Sequence, residues 1–474
     1  MDYKVTIGLE MHCEISNTKT KVFSPSTNNN EVLANQNVNC VDIALPGTLP
    51  TVNKACVKDA IMMATILNCE IPKYMYFERK NYYYPDLPKG YQITQNTNPI
   101  PVGSNGSIEV EREDGTTFTV EIDNIHLEED SAQMTHFGTK SSINYNRAGI
   151  PLLELVTKPC LHSADDAIKY LEVIRGIYQY TNISEADSKK GQIRCDVNVS
   201  VSKTDILGVK VETKNVNSFS AVRDVISYEV KRQIECIENN IPIEQETRRW
   251  NEEKMCTEHM RSKVDAIDYR YFVEPNIPKF LITDEFKEEI KKEIPELAFD
   301  RKKKYMNEYG LSNYDATIIV KEKAISDYYE ECLKLGIDSK SAANWLIVNI
   351  IGYLNKEYLE ISEFYLTPKM LKTILDKVND GTISSKQAKE VFNKVLEEKK
   401  DPENFISADN AQISDENELT TIIDNIVNNN GNMVEQYKNG KSNLFEFFVG
   451  QVMKETKGKA NPVKTREILH QKLD

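Results

Sequence analysis

Strict alternation of apolar and polar residues marks the first segment of the chain. Over residues 4–15 every second side chain is apolar, and the positions between them include Glu10 and His12. A period of two over twelve residues predicts a β-strand with one buried face, because successive side chains of a strand point to opposite sides of the sheet. Residues 192–202 repeat the pattern, and 209–214 repeat it over a shorter length. The three segments together predict a sheet with one apolar and one polar face.

Helical periodicity interrupts these strands and then replaces them. Apolar residues recur at helical spacing over residues 54–67, 164–180 and 220–238, so each segment is predicted to be a helix. From about residue 282 to 400 the chain is predicted to be all-helical, for example over 339–354. The pattern is typical of the α+β class, with a mixed sheet first and helices after it.

Charge divides the C-terminal part of the chain. Residues 401–430 hold seven Asp or Glu and no Lys or Arg, which predicts an acidic linker. Residues 431–474 hold eight Lys or Arg against five acids, a net charge of 8 − 5 = +3. We therefore predict three domains, a mixed α/β domain over 1–290, a helical domain over 291–405 and a small helical tail over 406–474.

Composition excludes several protein classes. The 474 residues carry 59 Lys or Arg and 73 Asp or Glu, so the net charge of 59 − 73 = −14 argues against a surface covered with nucleic-acid contacts. Nine cysteines are scattered singly, which argues against a disulfide scaffold or a clustered cysteine site. The N-terminus is charged where a signal peptide would be apolar, and the apolar run over 345–354 is interrupted by Asn349 and Gly352. A soluble, reducing, cytoplasmic setting is expected.

The polar faces of the predicted strands carry the candidate chemistry. Carboxylates, a carboxamide and an imidazole alternate there with cations, and a further acidic run ends a strand at residues 126–130. Hard oxygen ligands with one imidazole suit magnesium better than zinc, and interleaved cations suit phosphate oxygens. The alternative is that these are the solvated outer faces of amphipathic strands. The residues concerned are Glu10, His12, Arg194, Asp196, Asn198, Lys210, Glu212 and Lys214.

Two further segments mix cations, aromatic rings and turn-forming residues. Residues 77–91 contain three consecutive tyrosines between Arg79-Lys80 and a Pro-Asp-Leu-Pro turn, and residues 261–272 have a similar composition. Such a mixture can stack on a nucleotide or on a tRNA end. A surface loop with partly buried tyrosines is the alternative.

These segments resemble the B subunit of the bacterial-type aspartyl/glutamyl-tRNA amidotransferases. The resemblance runs in order along the whole chain, and its motifs are long and specific. They include IGLEMHCEI (7–15), LPGTLPTVN (45–53), RKNYYYPDLPKGYQITQ (79–95), HLEED (126–130), NRAGIPLLELVTKP (146–159), GQIRCDVNVSV (191–201), VETKNVNSF (211–219), QETRRW (245–250), MRSKVDAIDYRYFVEP (260–275), GTISSKQAKEVF (381–392) and GKANP (458–462).

The resemblance implies an activity and a fold. The expected enzyme converts Glu-tRNA(Gln) or Asp-tRNA(Asn) into the amidated form, using ATP and Mg²⁺ to activate the side-chain carboxylate as an acyl phosphate. Ammonia from a glutaminase (amidase) partner, the A subunit of such enzymes, would displace the phosphate, and a small C subunit would complete a heterotrimer. The first domain is expected to be similar to the glutamine synthetase and guanido-kinase group, and the tail to be YqeY-like.

The resemblance also assigns roles to residues. The expected magnesium ligands are Glu10, His12, Glu128, Asp196 and Glu212. Lys80 and Lys214 are expected to face phosphate or the carboxylate, with Arg194 and Asn198 joining Lys80 in binding the nucleotide. Basic residues of the tail are expected to contact tRNA, namely Lys454, Lys457, Lys459, Lys464 and Arg466.

One departure concerns a structural zinc that many relatives bind through two cysteine pairs. At those positions this chain has Ser24, Ser26, Asn39 and Asp42, and Cys40 is out of register. We therefore expect no zinc, with the loop over residues 24–41 held by packing alone.

Three function classes remain to be compared. The first is the tRNA-dependent carboxylate kinase, the second an ATP-dependent ligase acting on a free small carboxylate, and the third a non-catalytic tRNA-binding scaffold. The basic tail argues against the second class, and the carboxylate-bearing strands argue against the third. The sequence does not decide between Asp-tRNA and Glu-tRNA as substrate.

Overall fold

The computed structural model describes residues 3–29, 31–95, 101–262, 268–406, 416–439, 441–456 and 460–473. The chain divides into two compact units, Met1–Ala298 and Phe299–Asp474.

The first unit holds the strands of the described chain. In order they are β1 (Lys4–Glu14), β2 (Tyr74–Met75), β3 (Glu78–Asn81), β4 (Tyr91–Thr94), β5 (Gly103–Glu111), β6 (Thr117–Glu129), β7 (Gln133–Phe137), β8 (Lys140–Asn144), β9 (Pro151–Thr157), β10 (Ile193–Ser202), β11 (Val211–Val216), β12 (Glu246–Asn251), β13 (Cys256–Ser262), β14 (Phe272–Val273) and β15 (Phe280–Leu281).

Eight of these strands form one sheet in the order β13-β12-β11-β10-β1-β9-β6-β5. β11 and β12 are parallel, while the other neighbours are antiparallel, so the sheet is mixed. β14, β3 and β4 form a separate three-stranded sheet. Because β1 is central, the polar side chains along it have partners on both sides.

Helices α1 (Lys54–Ile66), α2 (Ala164–Tyr180) and α3 (Phe219–Glu238) cover the apolar face of the sheet, and α4 (Asp284–Glu293) packs on α1. Ser163 and Ser218 begin α2 and α3, since each side chain accepts a backbone N–H of the first turn. On β1 the alternate residues Ile7, Leu9 and Cys13 are fully buried in this core. The predicted apolar and polar faces of β1 are thus confirmed.

The second unit is helical among its described residues. Its helices are α5 (Ala298–Asn307), α6 (Asn313–Val320), α7 (Lys323–Lys334), α8 (Ser339–Asn344), α9 (Gly352–Glu357), α10 (Pro368–Asn379), α11 (Ser385–Glu398), α12 (Glu416–Asn429), α13 (Gly431–Lys438), α14 (Leu444–Glu455) and α15 (Pro462–Leu473). A π-helical turn over Trp345–Ile351 joins α8 to α9, so the segment predicted as one α-helix is not uniform. No helix of the described chain is long and apolar enough to cross a membrane.

Two sequence predictions need correction. Residues 416–429 form α12 rather than linker, and Leu419 and Ile423 are fully buried in the tail core with Phe448 and Leu469. β11 begins at Val211, and Val209 is exposed instead of alternating into the sheet. The α+β class, with a large mixed sheet and a helical C-terminal region, is confirmed.

Candidate active site

Three carboxylates from three neighbouring strands meet on the polar face of the sheet. Glu10 of β1 lies directly opposite Asp196 of β10, and Glu212 of β11 lies opposite Asn198. One carboxylate oxygen from each of Glu10, Asp196 and Glu212 lies within 4.8 Å of the other two. We call these three residues the β10 cluster. The sequence predicted all of them, because each sits on the polar face of an alternating strand.

Neighbouring groups reduce the repulsion within the β10 cluster. Lys214 Nζ lies 2.6 Å from Asp196 Oδ2 and 3.0 Å from Glu212 Oε1, and Asn198 Nδ2 donates to Glu10 Oε1 at 2.8 Å. Burial tends to lower the pKa of Lys214, but the two carboxylates outweigh it and raise that pKa well above its ordinary value. Lys214 therefore remains charged in this setting.

Burial and neighbouring carboxylates oppose the ionisation of Glu10. Burial raises its pKa, and Glu154 and Glu212 raise it further, against the opposing effects of Asn198 and Lys214. Burial also tends to raise the pKa of Glu212, but Lys214 and a hydrogen bond from Thr247 bring it below the ordinary value. A cation at this place would favour the ionised form of Glu10.

A second group of possible ligands lies on the other side of β1. His12, Glu128 and Glu154 each place one ligand atom within 4.8 Å of the other two. His12 Nε2 lies 3.4 Å from Glu154 Oε2 and 4.0 Å from Glu128 Oε1. We call these three residues the β9 cluster, because Glu154 lies on β9 between His12 of β1 and His126 of β6.

The two histidines and Glu154 determine one another's protonation. Burial lowers the pKa of both His12 and His126, but Glu154 and Glu128 outweigh it and raise both values. Burial raises the pKa of Glu154, but the two imidazoles bring it well below the ordinary value. His126 Nε2 lies 2.9 Å from Glu154 Oε2. The two imidazoles therefore favour the ionised form of Glu154, and a metal ion bound there would compete with protons for the ring nitrogens.

Both clusters fit a hard divalent cation such as magnesium. Their donor atoms are carboxylate oxygens with one imidazole, which is a suitable set for this class of ion. In addition, the buried Oδ1 atom of Asn198 has no hydrogen-bond partner among the described residues, although its Nδ2 atom binds Glu10. An acceptor left unpaired beside three carboxylates is consistent with a cation ligand.

The expected magnesium ligands fall into two groups in the structure. Glu10 joins Asp196 and Glu212, whereas His12 and Glu128 join Glu154. Sequence reasoning missed Glu154. Its strand reads PLLELVT, an apolar run with one charge, and that charge on a buried strand was the available signal.

Arg194 shares the polar face but is already paired. Its Nη2 donates to Asp130 Oδ1 at 3.0 Å, and Asp130 raises the pKa of the guanidinium above its ordinary value. Arg147 approaches the same carboxylate at 3.5 Å. Arg194 therefore supports the end of β6, and its predicted contact with a nucleotide remains a prediction.

Lys80 lies outside both clusters. It belongs to β3 of the three-stranded sheet, and its ammonium sits 4.9 Å from the ring centre of Tyr269. Tyr82 and Tyr271 pack edge-to-face against Tyr269. Burial raises the pKa of both outer tyrosines, and the negative charge of Glu128 raises it further. The tyrosine-rich segments 77–91 and 268–272 thus come together near the β9 cluster.

The loop predicted to be held by packing alone is held by a polar network. The Lys21 ammonium lies 3.3 Å from Asp42 Oδ2, and Ser24 Oγ donates to Asp42 Oδ1 at 2.6 Å. Ser26 Oγ and the Asn39 backbone N–H also donate to the Asp42 carboxylate. Ser24, Ser26, Asn39 and Asp42 therefore meet at one point. The prediction of packing alone is wrong because Lys21, Ser24 and Ser26 reach Asp42 across 16 to 21 residues of sequence.

The basic residues of the tail are only partly open. Arg466 makes two hydrogen bonds to Glu446, at 2.6 and 3.0 Å, while Lys454 and Lys464 are exposed on α14 and α15. Lys457 and Lys459 lie outside the described residues.

The chain is similar to known proteins along its whole length. Residues 5–288 match the GatB/GatE catalytic domain, and residues 327–473 match the GatB domain. The chain is 43% identical over 478 residues to a protein of Halalkalibacterium halodurans named as the B subunit of aspartyl/glutamyl-tRNA(Asn/Gln) amidotransferase, covering all of both chains. Proteins of the same name from Thermoanaerobacter pseudethanolicus and Geobacillus kaustophilus are each 43% identical over 477 residues, covering all of this chain and 100% and 99% of theirs. On this match of more than half its length, the chain belongs to the GatB/GatE family.

Proposed function

We propose that the chain is the carboxylate-activating subunit of a glutamine-dependent tRNA amidotransferase. Its substrates would be Glu-tRNA(Gln), Asp-tRNA(Asn) or both, with ATP and Mg²⁺ as cofactors. The observation that carries the proposal is the pair of carboxylate clusters on either side of β1. Membership of the GatB/GatE family supports the same activity, as does 43% sequence identity over the full length to a relative of this name.

The proposed reaction has two steps. A side-chain carboxylate oxygen of the aminoacyl-tRNA attacks the γ-phosphorus of ATP, forming an acyl phosphate and releasing ADP. Ammonia then attacks the acyl carbon, inorganic phosphate leaves and the amide forms. Two negatively charged groups must approach each other in the first step, so the site needs concentrated positive charge.

Mg²⁺ held by Glu10, Asp196 and Glu212, and by His12, Glu128 and Glu154, would neutralise phosphate oxygens during transfer. Lys214 stands beside Asp196 and Glu212, where its ammonium can pair with a phosphate oxygen or with the substrate carboxylate. Asn198 holds Glu10 in place through its amide N–H. Lys80 and Arg194 remain proposed nucleotide contacts.

The helical part of the chain is proposed to dock the tRNA. The boundaries 1–290, 291–405 and 406–474 stay proposed, as does the likeness of the first domain to glutamine synthetase and of the tail to YqeY. Lys454, Lys464 and Arg466 are exposed on tail helices, which supports a role in phosphate contact.

Partner subunits are proposed to supply ammonia. Cys13 is buried in the apolar core, and burial raises its pKa far above the ordinary value, so it is unsuited to act as a nucleophile. We propose the glutaminase (amidase) subunit and the small third subunit of such enzymes as partners in a cytoplasmic complex. No zinc is expected.

Measuring ADP formation by the purified complex tests the proposal. ADP formation stimulated by mischarged tRNA is expected. ADP formation indifferent to tRNA would favour a ligase for free carboxylates, and no ADP formation in the presence of ATP, Mg²⁺ and mischarged tRNA would contradict the proposal.

A further inference from the structure

The first unit contains a lysine with no exposed surface. Lys21 is 0% exposed, and the carboxylate of its partner, Asp42, is also buried. Burial lowers the pKa of Lys21 against the opposing effect of Asp42. An ion pair removed from water is costly unless nearly all of its hydrogen-bonding capacity is satisfied.

That requirement is met almost entirely by one loop. Lys21 Nζ donates to the Asn37 carbonyl at 3.1 Å in addition to its contact with Asp42. The Asp42 carboxylate accepts from Ser24, Ser26 and the Asn39 N–H, while Asn39 Oδ1 accepts from the backbone N–H of Asp42 itself. The pair thus links two parts of the long loop between β1 and α1, whose described residues include no named helix or strand.

The pair also lies close to Gly149, in the segment that leads into β9. A Cβ atom at Gly149 would stand 3.2 Å from Asp42 Oδ1 and 3.4 Å from Lys21 Cδ, and Gly149 has a φ of +86°. The positive φ favours glycine at this position, and a side chain there would crowd the ion pair. Val22 N–H donates to the Gly149 carbonyl, and the Gly149 N–H donates to the backbone carbonyl of Asp130.

Two residues after Gly149 the chain enters β9, which pairs with the end of β6 that carries Glu128. Pro151 pairs with Glu129 and Leu152 pairs with Glu128 in the β6–β9 ladder. Glu128 belongs to the β9 cluster. The Lys21–Asp42 pair is thus connected to this proposed ligand through Gly149 and the first residues of β9.

From this arrangement we infer that Lys21 and Asp42 are positioning residues. Their ion pair cross-links the loop over residues 21–42, as a structural metal ion would. It holds this loop against the end of β6 and thereby positions Glu128. The link to metal binding rests on the proposed function, whereas the cross-link itself does not.

The test compares Lys21→Met, Asp42→Asn and the double variant Lys21→Met/Asp42→Asn with the parent protein. Each single change leaves one buried group without its counter-charge and should lower the melting temperature by about 5 °C or more, whereas the double variant should lose less than the sum. Lys190→Met removes the exposed pair with Glu185 and is the matched control, with little expected change.

Amide hydrogen exchange then separates positioning from general loss of stability. Under conditions in which all variants are folded, the backbone amides of residues 22–42 and 127–151 should exchange faster in the Lys21→Met variant than in the parent. The amides of the distant strands β12 and β13 should exchange at the parent's rate. Equal exchange in residues 127–151 would overturn the positioning role. Additive losses of melting temperature in the double variant, or no loss in either single variant, would overturn the cross-link.

Mn²⁺ titration of the same proteins tests the connection to the site. We expect Lys21→Met to weaken Mn²⁺ binding about tenfold, as the loss of groups that orient metal ligands does elsewhere. Failure of the parent protein to bind Mn²⁺ would count against the proposed metal site, while the exchange data decide the cross-link.

Discussion

Glu10 and Asp196 lie directly opposite each other on adjacent antiparallel strands. Like charges in this relationship destabilise a sheet, because the side chains of opposed residues are neighbours on the same face. The fold compensates with Lys214 on Asp196 and with Asn198 on Glu10. Such an arrangement is common where charge is needed for function and is rarely explained by folding stability alone.

Replacing Glu10 by Gln should therefore stabilise the protein while strongly slowing its reaction. The carboxamide can still accept the hydrogen bond from Asn198, but the repulsion from Asp196 disappears. We expect the free energy of unfolding in metal-free buffer to rise by up to about 1 kcal/mol. Tenfold or greater weakening of Mn²⁺ binding and about 100-fold slower ADP formation should accompany the gain.

Glu109→Gln is the matched control for this prediction, because Glu109 is exposed on β5 of the same sheet. It should change neither stability nor metal binding. If Glu10→Gln destabilises the protein and leaves Mn²⁺ binding intact, Glu10 is a structural residue.

The sequence analysis assigned each member of the β10 cluster to a polar strand face because these residues follow a local rule, but it did not group the three together. Glu10, Asp196 and Glu212 each occupy polar positions in alternating strands, so their shared face could be inferred without knowing the strand order. The β9 cluster does not follow such a rule. β9 lies between β1 and β6, and its sequence is nearly continuous in apolar residues. The partners of its one carboxylate, Glu154, can therefore be identified only when the strand order is known.

Replacing Glu154 by Gln should lower the pKa of both His12 and His126. Without this carboxylate the effect of burial, which disfavours the charged imidazole, is opposed mainly by Glu128. Nitrogen-15 NMR of labelled histidine should show both rings titrating at lower pH than in the parent.

The Lys21–Asp42 network illustrates a second limit of sequence reasoning. The substitutions at Ser24, Ser26, Asn39 and Asp42 were visible, but the cation that meets them was not. Lys21 resembles any surface lysine in the sequence, and only tertiary packing gives it an anionic partner 21 residues away.

Asp59 should make stability depend on pH. It is 7% exposed on α1, and its Oδ2 has no hydrogen-bond partner among the described residues. Burial raises its pKa from 3.8 to about 6. Because this folded-state pKa lies above the unfolded value, the stabilising contribution is present at acid pH and is lost as the pH rises through about 6.

Asp59→Asn should remove that loss. Between pH 4 and pH 8 the free energy of unfolding of the variant should rise by about 2–3 kcal/mol relative to that of the parent, because a pKa shift on folding is linked to stability. Urea unfolding at several pH values measures the difference. A difference between the two proteins that does not vary with pH would show that Asp59 ionises normally.

Replacing Glu446 by Gln should strengthen tRNA binding. The change frees the guanidinium of Arg466, which the carboxylate now holds through two hydrogen bonds. One additional phosphate contact would steepen the slope of log affinity against log salt by roughly 0.7–0.9. Glu455→Gln removes an exposed acid of the same tail without freeing an arginine. Equal behaviour of the two variants would exclude Arg466 from the tRNA contact.

The most direct test of carboxylate activation follows the carboxylate oxygen itself. Glu-tRNA(Gln) or Asp-tRNA(Asn) labelled with oxygen-18 in the side-chain carboxylate is amidated by the complete complex with ATP, Mg²⁺ and ammonia, and the released phosphate is analysed by mass spectrometry. If an acyl phosphate forms, one phosphate is released for each amide, and each released phosphate carries one labelled oxygen. Amide formation with unlabelled phosphate would contradict the account.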